Sequence, residues 1–217
     1  MHMQPHSIFQ AFKQYALLVF KMEMVFTKFL PVVRQHASTP NVELEFRVGK
    51  INRGRFDTNV GQDTYKKALA RLMKYNAWEK TAISQDTIYY SQNGRRAISN
   101  DVTDDVTRVI KQKIEKVDQA LDNQPFDIRL GVATETPYEP DDEDDFDEMK
   151  KRTRHSFVRK NLSIDVSMIK GNPDDPDCED DTSYQIELEI IDPKKIGTDE
   201  ECYKLMYKIF DVLKITT

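Results

Sequence analysis

The sequence predicts an α+β fold: an eight-stranded antiparallel β-barrel with a polar, charged interior, its outside covered by helices. Three observations carry this. Eight segments alternate apolar and polar residues with period two. Their polar faces carry charges of both signs at i, i+2 spacing, and at least three helical segments have apolar faces that need an apolar sheet surface to cover. An antiparallel sandwich with solvated outer faces would also show the alternation. The helices decide between the two, because if they cover the outside of a closed sheet the charged faces must point inward.

The elements follow in chain order. Residues 6 to 36 place Ile8, Phe9, Phe12, Tyr15, Ala16 and Val19, then Phe26, Phe29 and Leu30, at helical spacing, which reads as one or two helices up to Pro31. Val42 to Ile51 alternates strictly, with Val42, Leu44, Phe46 and Val48 on one face and Glu43, Glu45 and Arg47 on the other. Gln62 to Tyr75 is helical through Tyr65, Leu69, Leu72 and Met73. Thr87 to Ser91 and Arg95 to Ser99 form a hairpin about Asn93-Gly94, the residue pair a type I′ turn favours. Further strands are expected at Val106 to Val117, Phe126 to Glu135, Arg152 to Val158, Leu162 to Lys170 and Ser183 to Ile191. Thr198 to Leu213 closes the chain as a helix with Cys202, Leu205, Met206, Ile209 and Val212 on one face. The reading is a single domain over 1–217: N-terminal helices in 1–40, barrel strands in 42–191 with one inserted helix at 62–75, and a C-terminal helix at 198–215.

Composition excludes several classes of function. Charged residues make up 32% of the 217 residues, and the 7 glycines build neither G-x-x-x-x-G-K-[ST] nor G-x-G-x-x-G, so phosphate here must be held by side chains. The net charge of -5 is concentrated in two acidic, proline-bearing runs, Asp141 to Asp147 and Asp174 to Asp181, which read as loops between strands. The longest apolar run, Tyr15 to Phe20, is far short of the ~18 residues of a membrane span, so no membrane partner is expected. Cys178 and Cys202 cannot make a disulfide framework, which points to a reducing, intracellular setting. Neither cysteine is followed by arginine at the C-x-x-x-x-x-R spacing of a cysteine phosphatase, since Lys208 and Tyr184 stand there. His155 stands apart from His2, His6 and His36, so a histidine metal site is not expected, and Trp78, Tyr89 and Tyr90 read as packing residues.

The strand charges are the informative feature. Residues i and i+2 on a strand point the same way about 7 Å apart, so Glu43 and Glu45 make one carboxylate pair and Glu187 and Glu189 another. Between those strands come Lys111, Lys113 and Glu115, then Arg129, Arg152, Arg154 and Asp165. Clustered carboxylates suit a hard divalent cation such as Mg²⁺ or Mn²⁺, and arginine and lysine suit phosphate oxygens. Together in one cavity they would make a metal-dependent phosphate-handling site.

The segments Val42-Glu43-Leu44-Glu45-Phe46-Arg47-Val48-Gly49 and Tyr184-Gln185-Ile186-Glu187-Leu188-Glu189-Ile190-Ile191, with Arg152-Thr153-Arg154-His155-Ser156 and Leu162-Ser163-Ile164-Asp165-Val166 between them, resemble the triphosphate tunnel metalloenzymes. More narrowly they are similar to the metal-dependent mRNA-capping RNA 5′-triphosphatases of fungi, protists and large DNA viruses. The resemblance implies a tunnel that removes the γ-phosphate of 5′-triphosphate RNA with Mg²⁺ or Mn²⁺. By the same resemblance Glu43, Glu45 and Glu189 would be metal ligands with Glu187 beside them, and Arg47, Lys111, Lys113, Arg129, Arg152 and Arg154 would grip the triphosphate. Asp165 would orient basic residues or a metal-bound water. One of Arg95 and Arg96 would also point inward, with the register open. Arg47, where the branch acting on small triphosphates has lysine, leans toward the capping branch, whereas Gln185 stands where that branch often has a third glutamate. Glu115 is a candidate to orient the attacking water, or else a neutralising partner for Lys111 or Lys113.

Two other functions stay open at this level: an inorganic, nucleoside or thiamine triphosphatase on the same fold, and a non-catalytic module that binds phosphorylated ligands or a protein. The chain lacks a K-x-D-G nucleotidyl-transfer motif, so an mRNA guanylyltransferase is expected either as a separate partner or as another domain of a longer polypeptide, with a homodimer through the N-terminal helices as a further possibility. The expected compartment is the nucleus, or the viral transcription compartment if the protein is viral.

Overall fold

The structure is a computed structural model that describes residues 5–141, 145–171 and 182–216, with side chains from Val19 onward. The acidic run at 174–181, with Cys178, lies outside the described residues, as does part of the run at 141–147.

Among the described residues nine strands are present: β1 (Val42–Asn52), β2 (Arg55–Asp57), β3 (Lys80–Tyr90), β4 (Arg95–Asn100), β5 (Val106–Gln119), β6 (Asp127–Pro137), β7 (Glu148–Arg159), β8 (Leu162–Lys170) and β9 (Thr182–Ile190). Eight of them close a ring in the order β1-β6-β5-β4-β3-β7-β8-β9, and β9 returns to pair with β1. Every pairing is antiparallel. The ninth, β2, is a short hairpin partner of β1 alone and was not expected from the sequence. A three-residue strand is too short to show a period. What permits it is local: Arg53 and Gly54 take positive φ at the turn, and a Cβ at Gly49 would collide with the Asp57 carbonyl and the Phe56 ring.

The helices are α1 (Pro5–His36), α2 (Gln62–Lys74) and α3 (Asp199–Ile215). The N-terminal segment is one continuous helix that runs through Pro31, because Val32 and Val33 remain on the buried face and hold the last turn against the barrel. Its face of Met22, Val25, Phe29 and Val33 packs over the outer surface of β1, with the Phe29 and Phe46 rings 5.8 Å apart. From the other terminus α3 supplies Met206, Ile209, Phe210 and Leu213 to the same core. A capping box starts α3, in which Thr198 and Glu201 each satisfy the other's backbone N–H.

The sheet residues in this core are the alternate set on each strand: Leu44, Phe46 and Val48, then Ile128, Leu130 and Val132, and Ile186, Leu188 and Ile190. Burial of that outer face fixes the register of the barrel, and the complementary set, rich in charge, is thereby turned into the lumen. Among the described residues, no helix is long and apolar enough to cross a membrane.

Phe29 is fully buried at the helix–barrel contact. Phe29→Ala is expected to cost about 3–5 kcal/mol, read as a lowered urea midpoint, because the surrounding backbone is too constrained to fill the space. A loss under about 1 kcal/mol would mean that α1 is not part of the folding unit.

Candidate active site

The lumen is assembled from the inward residues of all eight ring strands. At the seam where the barrel closes, Glu45 lies directly opposite Glu189 and Arg47 opposite Glu187. Glu43 follows on the same face of β1, and Asp165 of β8 is paired with Glu187. The first and last strands and neighbouring β8 thus place five carboxylates along one stretch of the lumen wall. On the other side of Glu187, β8 also presents Ser163 and Ser167, both buried.

Basic residues interlock with these acids. Arg47 forks onto both oxygens of Glu45, with Nη2 3.0 Å from Oε2, and also reaches Glu187 at 3.2 Å. Arg154 binds Glu187 and Asp165 at 3.0 Å each, and its Nε donates to the Ser167 hydroxyl at 3.3 Å. The Ser163 hydroxyl donates to the other oxygen of Asp165 at 2.8 Å. Arg152 donates twice to Asp86 of β3, at 2.7 and 3.1 Å. Ser84 and Asn100 hold the same carboxylate. Lys111 bridges Glu43 and Glu135, the latter at 2.9 Å.

Electrostatics follow from this packing. Burial raises the Glu45 carboxyl well above its ordinary range, and the Glu187 charge raises it further despite Arg47. Burial alone would do the same to Glu187, but the two guanidinium groups of Arg47 and Arg154 override it and hold that carboxyl down. Glu189 is pushed up to about 7 by burial and by the charges of Glu43, Asp165 and Glu135. Lys111 is raised: burial opposes its charge, but Glu43 and Glu135 outweigh burial.

Of the residues singled out from the sequence, Glu43, Glu45, Arg47, Lys111, Arg152, Arg154, Asp165, Glu187 and Glu189 all lie in this one network or directly against it. Lys113 shares the lumen face of Lys111 and is exposed, without being drawn into the seam. Arg129 is on the lumen face opposite Arg47, yet its guanidinium is committed to Asp118 at 2.6 and 2.8 Å and lies over the Phe56 ring.

Glu115 is a correction. A β-bulge between Lys113 and Glu115 inserts one residue into β5 and reverses the facing of everything beyond it. Glu115 therefore pairs with outward-facing Val132 and meets His36 of α1 at 3.3 Å, on the outside of the barrel. The same bulge turns Lys116 and Asp118 inward, against the period-two pattern. The open register of the hairpin is resolved in favour of Arg96, which is paired with Val109 on the lumen face and lies over the Tyr90 ring. Arg95 faces outward and is bound to Asp141.

Sequence reasoning missed Asp86, Glu135 and Lys150. Glu135 was readable, since it stands on the same face as Arg129 in an alternating strand. Asp86 and Lys150 lie in the parts of β3 and β7 that extend beyond the expected strands. There the alternation is blurred by apolar residues on the lumen face, such as Ile88 opposite Lys150.

The seam carboxylates supply oxygen donors only, as a hard divalent cation requires. The elevation of Glu189 by its acidic neighbours marks a local excess of negative charge that a cation would offset. Among the described residues, no three His, Cys, Asp or Glu side chains converge as a preassembled metal cluster. Glu43 and Glu45 are turned instead to Lys111 and Arg47. The residue types fit a hard metal, and basic groups hold the Glu43 and Glu45 carboxylate oxygens in this structure.

A closed eight-stranded antiparallel barrel lined in this way, with one extra strand and three helices outside, is the triphosphate tunnel fold of RNA triphosphatases. The chain belongs to the family described as mRNA capping enzyme, beta chain, which matches residues 59–205. The fold is similar to that of the S. pombe Pct1 RNA triphosphatase, with a TM-score of 0.71 at 16% identity over 90% of this chain and 91% of that one. The RNA triphosphatase domain of the trifunctional mimivirus mRNA capping enzyme is also similar, with a TM-score of 0.61 at 17% identity over 90% of this chain and 97% of the other. A search of curated proteins gave no sequence match.

Glu189 also sets a pH dependence. Between the ordinary carboxyl value of 4.5 and about 7 the folded protein keeps a proton at Glu189 that the unfolded chain has released, so its contribution to stability falls as pH rises through that window. In EDTA-treated protein, Glu189→Gln is expected to gain stability relative to the parent from about pH 5 to about pH 8, followed by urea midpoints. Parallel profiles for the two proteins would refute the assigned environment.

Proposed function

We propose that this chain is a divalent-metal-dependent RNA 5′-triphosphatase, which hydrolyses the γ-phosphate from the triphosphate end of nascent RNA as the first step of mRNA capping. The observation that supports this best is the seam of the barrel, where Glu43, Glu45, Glu187 and Glu189 stand beside Arg47, Arg154 and Lys111 in a closed tunnel. A triphosphate carries several negative charges at close spacing. Side chains facing one another around a tunnel can engage it from several directions, which a flat sheet cannot do.

Glu43, Glu45 and Glu189 would hold the metal, Mg²⁺ or Mn²⁺. When bound, it supplies Lewis-acid stabilisation of charge on the phosphoryl oxygens. Arg47, Lys111, Lys113, Arg152 and Arg154 bind and orient the triphosphate, joined by Arg96 and Lys150 on the same wall. Arg129 serves the site more indirectly, through its fixed pair with Asp118. Asp165, held by Ser163, keeps Arg154 aimed across the lumen. Hydrolysis breaks the bond between the γ-phosphorus and the bridging oxygen. Water adds to phosphorus, and the products are orthophosphate and a diphosphate-ended RNA. With Glu115 outside the barrel, Glu135 is the carboxylate best placed to orient that water, because its side chain is 35% exposed to the lumen and anchored by Lys111.

The diphosphate end must next accept a nucleotidyl group, a step we assign to a guanylyltransferase, as a separate partner or as another domain of a longer polypeptide. The S. pombe Pct1 structure with the Spt5 CTD is a case of an RNA triphosphatase of this fold meeting a protein partner. We place the protein where transcripts are capped, in the nucleus or in a viral transcription compartment. Exposed Phe20 and Met24 on α1 are the surface a homodimer would use.

Phosphate release from triphosphate-ended RNA by purified protein is expected to require Mg²⁺ or Mn²⁺ and to stop in EDTA. Glu45→Ala and Glu189→Ala are each expected to lose at least about 100-fold in rate while remaining folded by circular dichroism. Metal-independent release, or full activity in both variants, would overturn the reading. Faster turnover of free tripolyphosphate than of RNA would assign the tunnel to a small-triphosphate hydrolase. Glu115→Ala, now placed outside, is expected to keep near-parental activity, whereas Glu135→Ala should not.

A further inference from the structure

Outside the barrel a groove of about 940 Å³ runs between the C-terminal end of α2, the face of α3 and the turn from β7 to β8. Its floor is aliphatic, formed by Leu162 and Ile164 of the barrel wall with Val212, Leu205, Ile196 and Ile215. The last three are only partly buried, so apolar surface here is left uncovered by the chain itself. One wall is fixed in place: the Trp78 indole N–H donates to the Leu72 carbonyl at 2.8 Å, and its ring packs against Tyr75 and Phe157.

The rim is basic. Arg71, Arg159, Lys160, Lys195, Lys204 and Lys208 line it, against Glu201 and Asp211. Glu201 sits in the capping box of α3 and Asp211 pairs with Lys208 and Lys214, while Lys204 and Lys195 pair with Glu200 and Asp192, so the excess positive charge of the rim rests on Arg71, Arg159 and Lys160. In a chain of net charge -5, a concentration of this kind around an apolar floor is a local exception.

We propose that this groove docks an acidic amphipathic segment of a partner protein, its apolar side chains on the floor and its carboxylates along the rim. A nucleic-acid strand fits less well. The floor offers aliphatic side chains where bases need stacking faces or edge partners. The two exposed rings at its edge, Tyr75 and Tyr207, already carry cations, Arg159 at 5.5 Å on the first and Lys208 and Lys214 at 5.6 Å on the second. Because the groove lies on the outer surface, a docked segment leaves the lumen open, so a partner and a triphosphate can be held at once.

The test uses the whole chain and a fluorescent, helix-forming 18-residue peptide with glutamates on one face and leucines on the other, followed by anisotropy. Saturating tripolyphosphate is present to occupy the tunnel. Saturable binding that weakens with salt is expected, and a peptide of the same leucine face with lysines replacing the glutamates should bind at least about tenfold more weakly. K160E, K204E and K208E combined should weaken the acidic peptide by a similar factor while phosphate release is unchanged, which also shows that the variant is folded. Leu205→Asn, which alters the floor without changing the charge of the rim, should weaken binding as well. Peptide binding that survives both sets of changes, or that tripolyphosphate abolishes, would overturn the proposal. So would an RNA oligonucleotide that binds in place of the peptide and is lost in the triple variant. Since phosphate release is read separately, failure here leaves the catalytic reading standing, and the reverse holds too.

Discussion

One carboxylate held by two guanidinium groups organises this molecule. Glu187 is buried between Arg47 and Arg154, each of which carries a second acid, Glu45 and Asp165 respectively. Charges removed from water this far cost several kcal/mol each unless they are paired and hydrogen-bonded, so each member of the chain of pairs stabilises the others. The network joins β1, β7, β8 and β9, and it spans the place where the barrel closes. Closure of the sheet and neutralisation of its interior are therefore the same event. A barrel lined by one sign of charge would be repelled open, and one lined by aliphatic side chains would fill its own lumen.

The remaining architecture answers the demand made by the other face of the same strands. Leu44, Phe46 and Val48 alternate with Glu43, Glu45 and Arg47, and a sheet that turns its charges inward must cover its apolar side from outside. That is the work of α1 and α3, which arrive from opposite ends of the chain and meet over β1. The helices carry none of the lumen charges and yet decide which way they point, because a one-residue slip of any strand would exchange the two faces.

Much of this was legible in the sequence because period two and charge coincide on β1 and β9, where the apolar face is unbroken and the lumen face carries the glutamate pairs. Glu43, Glu45, Glu187 and Glu189 could be placed on common faces from spacing alone. What brings them to one another is the pairing of the first strand with the last, and no local pattern encodes that. Illegible positions have definite physical causes. The bulge in β5 reverses the alternation beyond Lys113, so Glu115 reads as a lumen residue and is not, while Lys116 and Asp118 read as outward and face in. Asp86 sits on a lumen face that also carries Ile88, which masks the polar stripe. Lone positions such as β2 depend on a turn and a glycine rather than on any period.

The pairing of β1 with β9 has a consequence for how the protein comes into being. Glu45 and Glu189 are neighbours in space but almost a whole domain apart in sequence, so the strand bearing the second carboxylate pair leaves the ribosome only after all the other strands. Contacts of such long sequence separation require loop closure before any reward is returned, which makes them late and slow. Until the last strand docks, the open sheet has two unpaired edges, Glu187 is not yet present to neutralise Arg47 and Arg154, and the carboxylates of the seam are divided. The site cannot exist in a half-made or partly unfurled barrel, so chemical competence is coupled to completion of the fold.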